Sequence, residues 1–69
     1  MKIGLAIAMR REQVGLTQEE LADRCELTKG YISQVENDLT SPTISTLSDI
    51  LTALGTNLSE FFVKHIISY

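Results

Sequence analysis

The stretch "TQEELADRCELTKGYISQVEN", Thr17 to Asn37, decides how the chain is read. It opens on Thr17 with Glu20 three residues later, the spacing of a capping box, while Leu16 and Leu21 have the spacing of a hydrophobic staple. Two separate signals therefore set a helix start at Thr17. A second helix opens on Thr28 as N-cap, with Leu27 and Ile32 repeating the staple arrangement. A turn of only about three residues joins the two.

The second of these helices has two unlike sides. At about 100° per residue, with Ile32 at the origin, Val35 falls at about 300° and Leu39 at about 340°. Lys29, Ser33, Asn37, Gly30 and Gln34 sweep from about 60° to about 200°, so the apolar and polar sets do not overlap. Glu36 lies at about 40°, on the edge of the buried side, where a carboxylate needs a cationic partner. Gly30 weakens the helix by ~1 kcal/mol, a cost that makes sense where another surface comes close to the backbone. A solvated face is the plain alternative for an isolated helix, but this one follows a capped helix across a tight turn. That arrangement is the helix-turn-helix unit, whose second helix enters the DNA major groove. Gln and Asn bond bidentately to adenine, Lys bonds to guanine and Ser to several partners, so the face carries the groups that base reading requires.

Outward from this unit the punctuation remains helical. A first helix is expected over Ile3–Val14, with Ile3, Ile7 and Val14 on one side and Gly15 as its stop. A fourth is announced by "SPT", Ser41 as cap and Pro42 at the first helical position. Ile44, Leu47, Ile50, Leu51 and Leu54 give it a core face, and Gly55 ends it. A fifth follows Asn57, with Glu60 three residues on, and carries Leu58, Phe61, Phe62 and Ile66; "FFVKHIISY" alone also fits a strand. The expected fold is all-α, a compact bundle of five short helices forming one domain over residues 1–69, since 69 residues hold one domain at most.

Composition narrows the function. Hydrophobic residues make up 43% and charged residues 22%, as in a folded domain and unlike a disordered tail. The net charge of −3 removes the basic excess usual in nucleic-acid binders, so a DNA partner must be argued from one local face. Cys25 is the only cysteine and His65 the only histidine, which excludes an internal disulfide and a four-ligand zinc site. Cys25 sits on the buried stripe with Leu21 and Ala22 and reads as a small core residue. No nucleophile elbow or acid–base constellation occurs, so neither an enzyme nor a cofactor is expected. The apolar run Ile3–Met9 ends in Arg10 and Arg11 rather than a small-residue cleavage site, and nothing approaches the ~18 apolar residues of a membrane span. A reducing cytoplasm fits.

"GLTQEELADRCELTKGYISQVEN" closely resembles the lambda-repressor and Cro-like, or XRE-type, helix-turn-helix family. The residues that carry the likeness are Gln18, Leu21, Ala22, Leu27, Ile32, Val35 and Glu36. It extends to Ile3 and Gly4, to Arg11 and to "SPTISTLSDILTALGTNLSEFF"; this last segment looks most like the DNA-binding domains of bacterial regulators that carry a C-terminal cupin domain. The resemblance implies a double-stranded DNA operator as partner. It implies that Gln18 contacts phosphate and braces the recognition helix, and that Lys29, Gly30, Tyr31, Ser33 and Gln34 lie at or near base edges. Asn37 falls at a backbone-contact position, Thr28, Ser41 and Thr43 are further candidate DNA-binding residues, and Arg11 and Glu36 match an ion pair joining the first and third helices. Two departures stand out: Glu26 replaces the turn glycine, at a cost of ~1 kcal/mol for a non-glycine in the left-handed region, and Leu5 and Met9 are apolar where the family is polar.

The expected function is sequence-specific DNA binding by a transcriptional regulator, a repressor acting as a two-fold dimer. The dimer seam is expected at Phe61, Phe62 and Ile66, with Leu5 and Met9 as further candidates. The rival reading is a protein-interaction module, an antitoxin-like or anti-repressor partner on the same fold, favoured by the net acidity and by the second apolar side of the first helix.

Overall fold

A computed structural model describes residues 3–64; His65, Ile66, Ile67 and Tyr69 lie outside the described residues, and with them part of the expected dimer seam. Five helices follow in order: α1 (Ile3–Gln13), α2 (Gln18–Cys25), α3 (Lys29–Glu36), α4 (Ile44–Ala53) and α5 (Leu58–Phe62). The described residues contain no strand, so the apolar "FFV" continues as helix. The radius of gyration, 11.0 Å, is what a compact chain of this length gives (about 11 Å).

The starts of α2 to α5 are each held by a cap of their own. Thr17 Oγ1 accepts from the Glu20 N–H at 3.0 Å and the Glu20 carboxylate accepts from the Thr17 N–H at 2.8 Å, which completes the capping box. Thr28 Oγ1 accepts from the Tyr31 N–H at 3.1 Å, and Asn57 Oδ1 from the Glu60 N–H at 2.9 Å. Gly15 and Gly55, with φ of 78° and 75°, follow the ends of α1 and α4. Between α2 and α3 the expected strain is present: Glu26 adopts φ 58°, ψ 37°, and the following N–H of Leu27 bonds back to the Ala22 carbonyl at 2.9 Å.

The core draws on every helix: Ala6 and Ile7 of α1, Leu21 and Ala22 of α2, Ile32 and Val35 of α3, Leu47, Ile50 and Leu51 of α4, then Leu54 and Phe61. Fully burying one such aliphatic side chain contributes roughly 1.5–3 kcal/mol. Phe61 belongs to this core, at 2% exposure, so it is spent inside the chain rather than offered at a seam; Phe62 packs edge-on beside it and is half-buried. Cys25 is half-buried on the same side, and burial pushes its thiol up from the ordinary value.

Four expectations fail, for one shared reason. α4 is capped by Thr43, whose Oγ1 accepts from the Thr46 N–H at 3.1 Å, so Ser41 is not the cap and Pro42 lies before the helix rather than in its first turn. Ile44 is then the first residue of α4 and stands 68% exposed instead of joining the core. Leu39 is 76% exposed because α3 stops at Glu36 and the chain turns through Asp38 at φ 57°. Val14 falls past the end of α1 and is exposed, while Leu16 packs against the core in its place. In each case the helix is shorter at that end than the sequence pattern suggests.

Gly4 fixes how α1 meets α3. A Cβ on this residue would stand 2.5 Å from the Glu36 carbonyl oxygen and closer still to that of Val35, both backbone atoms that cannot swing aside. The Gly4 N–H donates to Asp38 Oδ1 at 3.1 Å, so the residue that turns the chain after α3 also closes the start of α1. At the other end of α1, Arg10 Nε donates to the Leu54 carbonyl at 3.0 Å and caps the end of α4.

Gly4→Ala is expected to lower unfolding stability by about 1–3 kcal/mol through overpacking, read as a drop in the urea midpoint without a change in slope. A pH test concerns the capping box. Hydrogen bonds from the Thr17 backbone first, and with its side chain next, hold the Glu20 carboxyl below its ordinary value. The folded state therefore binds this proton more weakly than the unfolded chain. The contribution is complete above the ordinary carboxylate range and is lost as pH falls through the lowered value. The melting-temperature gap between the natural chain and Glu20→Ala should be widest near neutral pH and shrink in acid; a gap constant with pH would contradict the assignment.

Candidate nucleic-acid interface

α3 lies with Ile32 and Val35 in the core, at 0% and 2% exposure, so the side opposite them is turned outward. Lys29, Gly30, Gln34 and Asn37 are exposed, together with the cap Thr28, while Ser33 and Tyr31 are half-buried, Tyr31 packing against the core. The two-sidedness inferred from the sequence is therefore present, with Leu39 as its one false member.

The orientation of α3 rests on Glu36, its last residue. The Arg11 fork donates to both carboxylate oxygens, Nε to Oε2 at 2.7 Å and Nη2 to Oε1 at 3.2 Å, and Arg11 Nη1 donates to the Leu16 carbonyl at 2.8 Å. The side chains are 13% and 5% exposed. A planar fork on a carboxylate is the strong form of this interaction, and here the shielding from water is substantial. The hydrogen bond with Glu36 pushes the Arg11 guanidinium up from an already high value, against burial, so it stays a cation at any pH the fold survives. Gln18 Nε2 adds a third bond to Glu36 Oε1 at 2.9 Å. One carboxylate thus ties α1, α2 and α3 together, and Gln18 braces the recognition helix with one N–H while its second N–H and its carbonyl remain outside this bond.

Not every expected contact residue has its side chain available. Asn37 Nδ2 donates to the Ser33 carbonyl at 2.8 Å, closing the end of α3 with the amide that the sequence offered to the partner. The Thr43 hydroxyl accepts from the Thr46 N–H and donates to Thr46 Oγ1 at 3.1 Å, so its polar capacity is largely taken up by the cap. Ser41 is exposed in the loop between α3 and α4. Lys29 and Gln34 are the long side chains left on the outer face of α3. Gly4 and Asp38, which seat the end of α3 against α1, were not singled out as site residues; Gly4 was marked only by the family resemblance and as an isolated glycine in a helical pattern, and Asp38 by nothing.

The electrostatics around this face are uneven. Lys29 is the one cation on α3, and it shares a shallow depression with Gln18, the carboxylates of Glu19, Glu20 and Asp23, and Arg11, whose charge is taken up by Glu36. The first turn of α2 therefore carries two acidic residues, whereas that of α4 carries none. Among the described residues no cluster of His, Cys, Asp or Glu is suited to a metal ion, and no helix is long and apolar enough to cross a membrane.

The model of the helix-turn-helix family HTH_3 matches residues 7–61. The chain belongs to this helix-turn-helix family. It is 44% identical over 59 residues to the HTH-type transcriptional regulator PuuR of Escherichia coli K12, covering 86% of this chain and 32% of that protein. It is 36% identical over 59 residues to the immunity repressor protein of Bacillus phage phi105, covering 86% of this chain and 41% of the repressor. The chain thus spans about a third of the length of PuuR. Among solved structures, the wild-type restriction-modification controller protein C.Esp1396I superposes with a TM-score of 0.87 at 33% identity, covering 97% of this chain and 86% of that one. The clp gene regulator ClgR from Corynebacterium glutamicum gives a TM-score of 0.86 at 25% identity, covering 91% and 67%. The five helices of the described residues therefore form the fold of known helix-turn-helix regulators.

In this family member Arg11→Ala should cost about 3 kcal/mol, because it leaves the Glu36 carboxylate shielded from water and short of its cation. That is a large part of the roughly 3–10 kcal/mol available to a domain of this size. Replacing both partners by hydrocarbon, Arg11→Met with Glu36→Leu, should recover most of the loss. A double variant no more stable than Arg11→Ala would show that the pair matters for its attraction rather than for its desolvation.

Proposed function

We propose that this chain reads double-stranded DNA in the major groove through α3 and regulates transcription as a repressor. The observation that carries the reading is the exposed face of α3, where Lys29 and Gln34 reach outward from a helix whose angle is held by the Glu36 carboxylate. Gln34 has the paired donor and acceptor that fit adenine, and Lys29 the donors that fit guanine. Gln18, Thr28, Ser41 and the backbone at Thr43 lie around that helix as candidate phosphate contacts, with Tyr31 and Ser33 at its margin. The names of the relatives support this reading: a transcriptional regulator, an immunity repressor and a restriction-modification controller. We further propose that it works in the cytoplasm as a two-fold dimer on a palindromic operator, with half-sites one helical turn, about 34 Å, or a multiple apart. Leu5 and Met9, 54% and 49% exposed on α1, and the half-buried Phe62 are the described residues offered for the seam.

The same exposed Leu5 and Met9, with the net charge of −3, favour a second reading in which the fold binds another protein and no DNA. Selection of bound sequences from a random duplex pool separates the two. A DNA reader enriches a motif, and Gln34→Ala then weakens that motif by about 1–3 kcal/mol while leaving binding at other sequences nearly unchanged. An interaction module enriches nothing. A uniform loss over all sequences on Gln34→Ala would remove this residue from the base edges.

A further inference from the structure

We propose that Gly30 sets how deeply α3 enters the groove, and that it determines specificity by letting base edges reach the helix backbone. This rests on the DNA-reading function proposed above and adds to it the point of closest approach. Gly30 is the second residue of α3 and is exposed, and a Cβ built on it meets nothing within 4 Å. Its φ is not among the positive values of the chain, so no left-handed conformation requires glycine either. The contrast with Gly4 is direct, since there a Cβ would strike two backbone carbonyls of the same protein. Neither space nor conformation within the fold accounts for a glycine at position 30, although glycine weakens a helix interior more than any residue except proline. The requirement then comes from outside.

The surroundings agree. Residues 30 and 37 share the line of α3 opposite its buried side, with Gln34 to one side of that line and Lys29 to the other. Asn37 folds its amide back onto the Ser33 carbonyl, and Ser33 itself is short and half-buried. The middle of the outer face is therefore low, with Lys29 and Gln34 rising about 140° apart on either side of it. A helix with its side chains, about 10–12 Å across, nearly fills a major groove about 12 Å wide, so the depth it reaches depends on what projects from its central line. One missing Cβ admits the floor of the groove by about one carbon–carbon bond length, roughly 1.5 Å. Lys29 and Gln34 then reach base edges on both sides of the point of contact.

The test is Gly30→Ala, with Thr52→Ala on the exposed side of α4 as a comparison outside the interface. Melting temperature and affinity are measured for the duplex selected by the natural chain and for a random duplex at low salt. Gly30→Ala is expected to keep or raise the melting temperature and to weaken the selected duplex by about ten-fold or more, with the random duplex bound as before. Thr52→Ala should bind both duplexes as the natural chain does. Equal affinity of Gly30→Ala for the selected duplex overturns the proposal, as does an equal loss on both duplexes, which would point to phosphate contact. A lowered melting temperature overturns it too, since the fold itself would then need the glycine. A natural chain that selects no duplex defeats the DNA-reading function beneath the proposal; one that selects a motif also bound by Gly30→Ala defeats the proposal alone.

Discussion

The Glu36 carboxylate is the constraint on which the geometry of this fold depends. It ends α3, takes two bonds from Arg11 of α1 and one from Gln18 of α2, and is 5% exposed. Five helices of 5 to 11 residues cannot hold their mutual angles by propensity, because isolated helices so short are marginal in water. Apolar packing brings them together without strong directional preference. The charged fork supplies direction: it fixes the rotation of α3 about its own axis and hence which residues face outward. At the opposite edge of the same helix end, the carbonyls of Val35 and Glu36 press against Gly4 and Asp38 bonds the Gly4 N–H. The end of α3 is thus held from two sides by α1.

Most of this was legible locally. Thr17 with Glu20, Thr28 and Asn57 announce their caps by identity and spacing, and Ile32 with Val35 marks the inner side of α3, because these features are decided within four residues of chain. The partner of Glu36 required more: the wheel called for a cation, and the family resemblance named Arg11, 25 residues away. The errors arise where locality ends. "SPT" offers two hydroxyls that can cap a helix, and only the path of the loop across the bundle selects Thr43 over Ser41. Leu39 follows the apolar period but lies beyond the end of α3, and Ile44, as the first residue of α4, sits where the helix has not yet turned its apolar side onto the core. The bonds from Gly4 to Asp38 and from Arg10 to Leu54 join residues 34 and 44 apart and leave no periodic trace.

Two non-glycine residues, Glu26 and Asp38, hold positive φ at the two ends of the reading region, one before α3 and one after it. A left-handed conformation costs a residue with a Cβ about 1–2 kcal/mol, less for Asp because its side chain bonds locally. The chain meets the cost differently at the two places. Asp38 gains the bond to the Gly4 N–H, whereas Glu26 has only the backbone bonds of the α2 end around it. The turn between α2 and α3 is therefore the more strained of the two, and it stays closed because Leu21, Ala22, Ile32 and Val35 pack across it.

On the reading proposed here, the sparse positive charge follows a physical logic. Non-specific attraction to a duplex is almost entirely electrostatic and grows with the number of phosphates neutralised. With Lys29 the one cation on α3, and Glu19, Glu20 and Asp23 beside it, that attraction is small for this face. Hydrogen bonds to base edges do not depend on net charge; they depend on placing donors to within a few tenths of an ångström. A weakly charged surface thus weakens binding to every sequence alike and leaves discrimination, the ratio that matters on a genome, to the base-edge contacts. The same choice removes the long-range pull that would tolerate a loosely held helix. A reader with few cations must keep its recognition helix at one angle before it meets the groove, and that is what a shielded carboxylate bonded from two other helices provides.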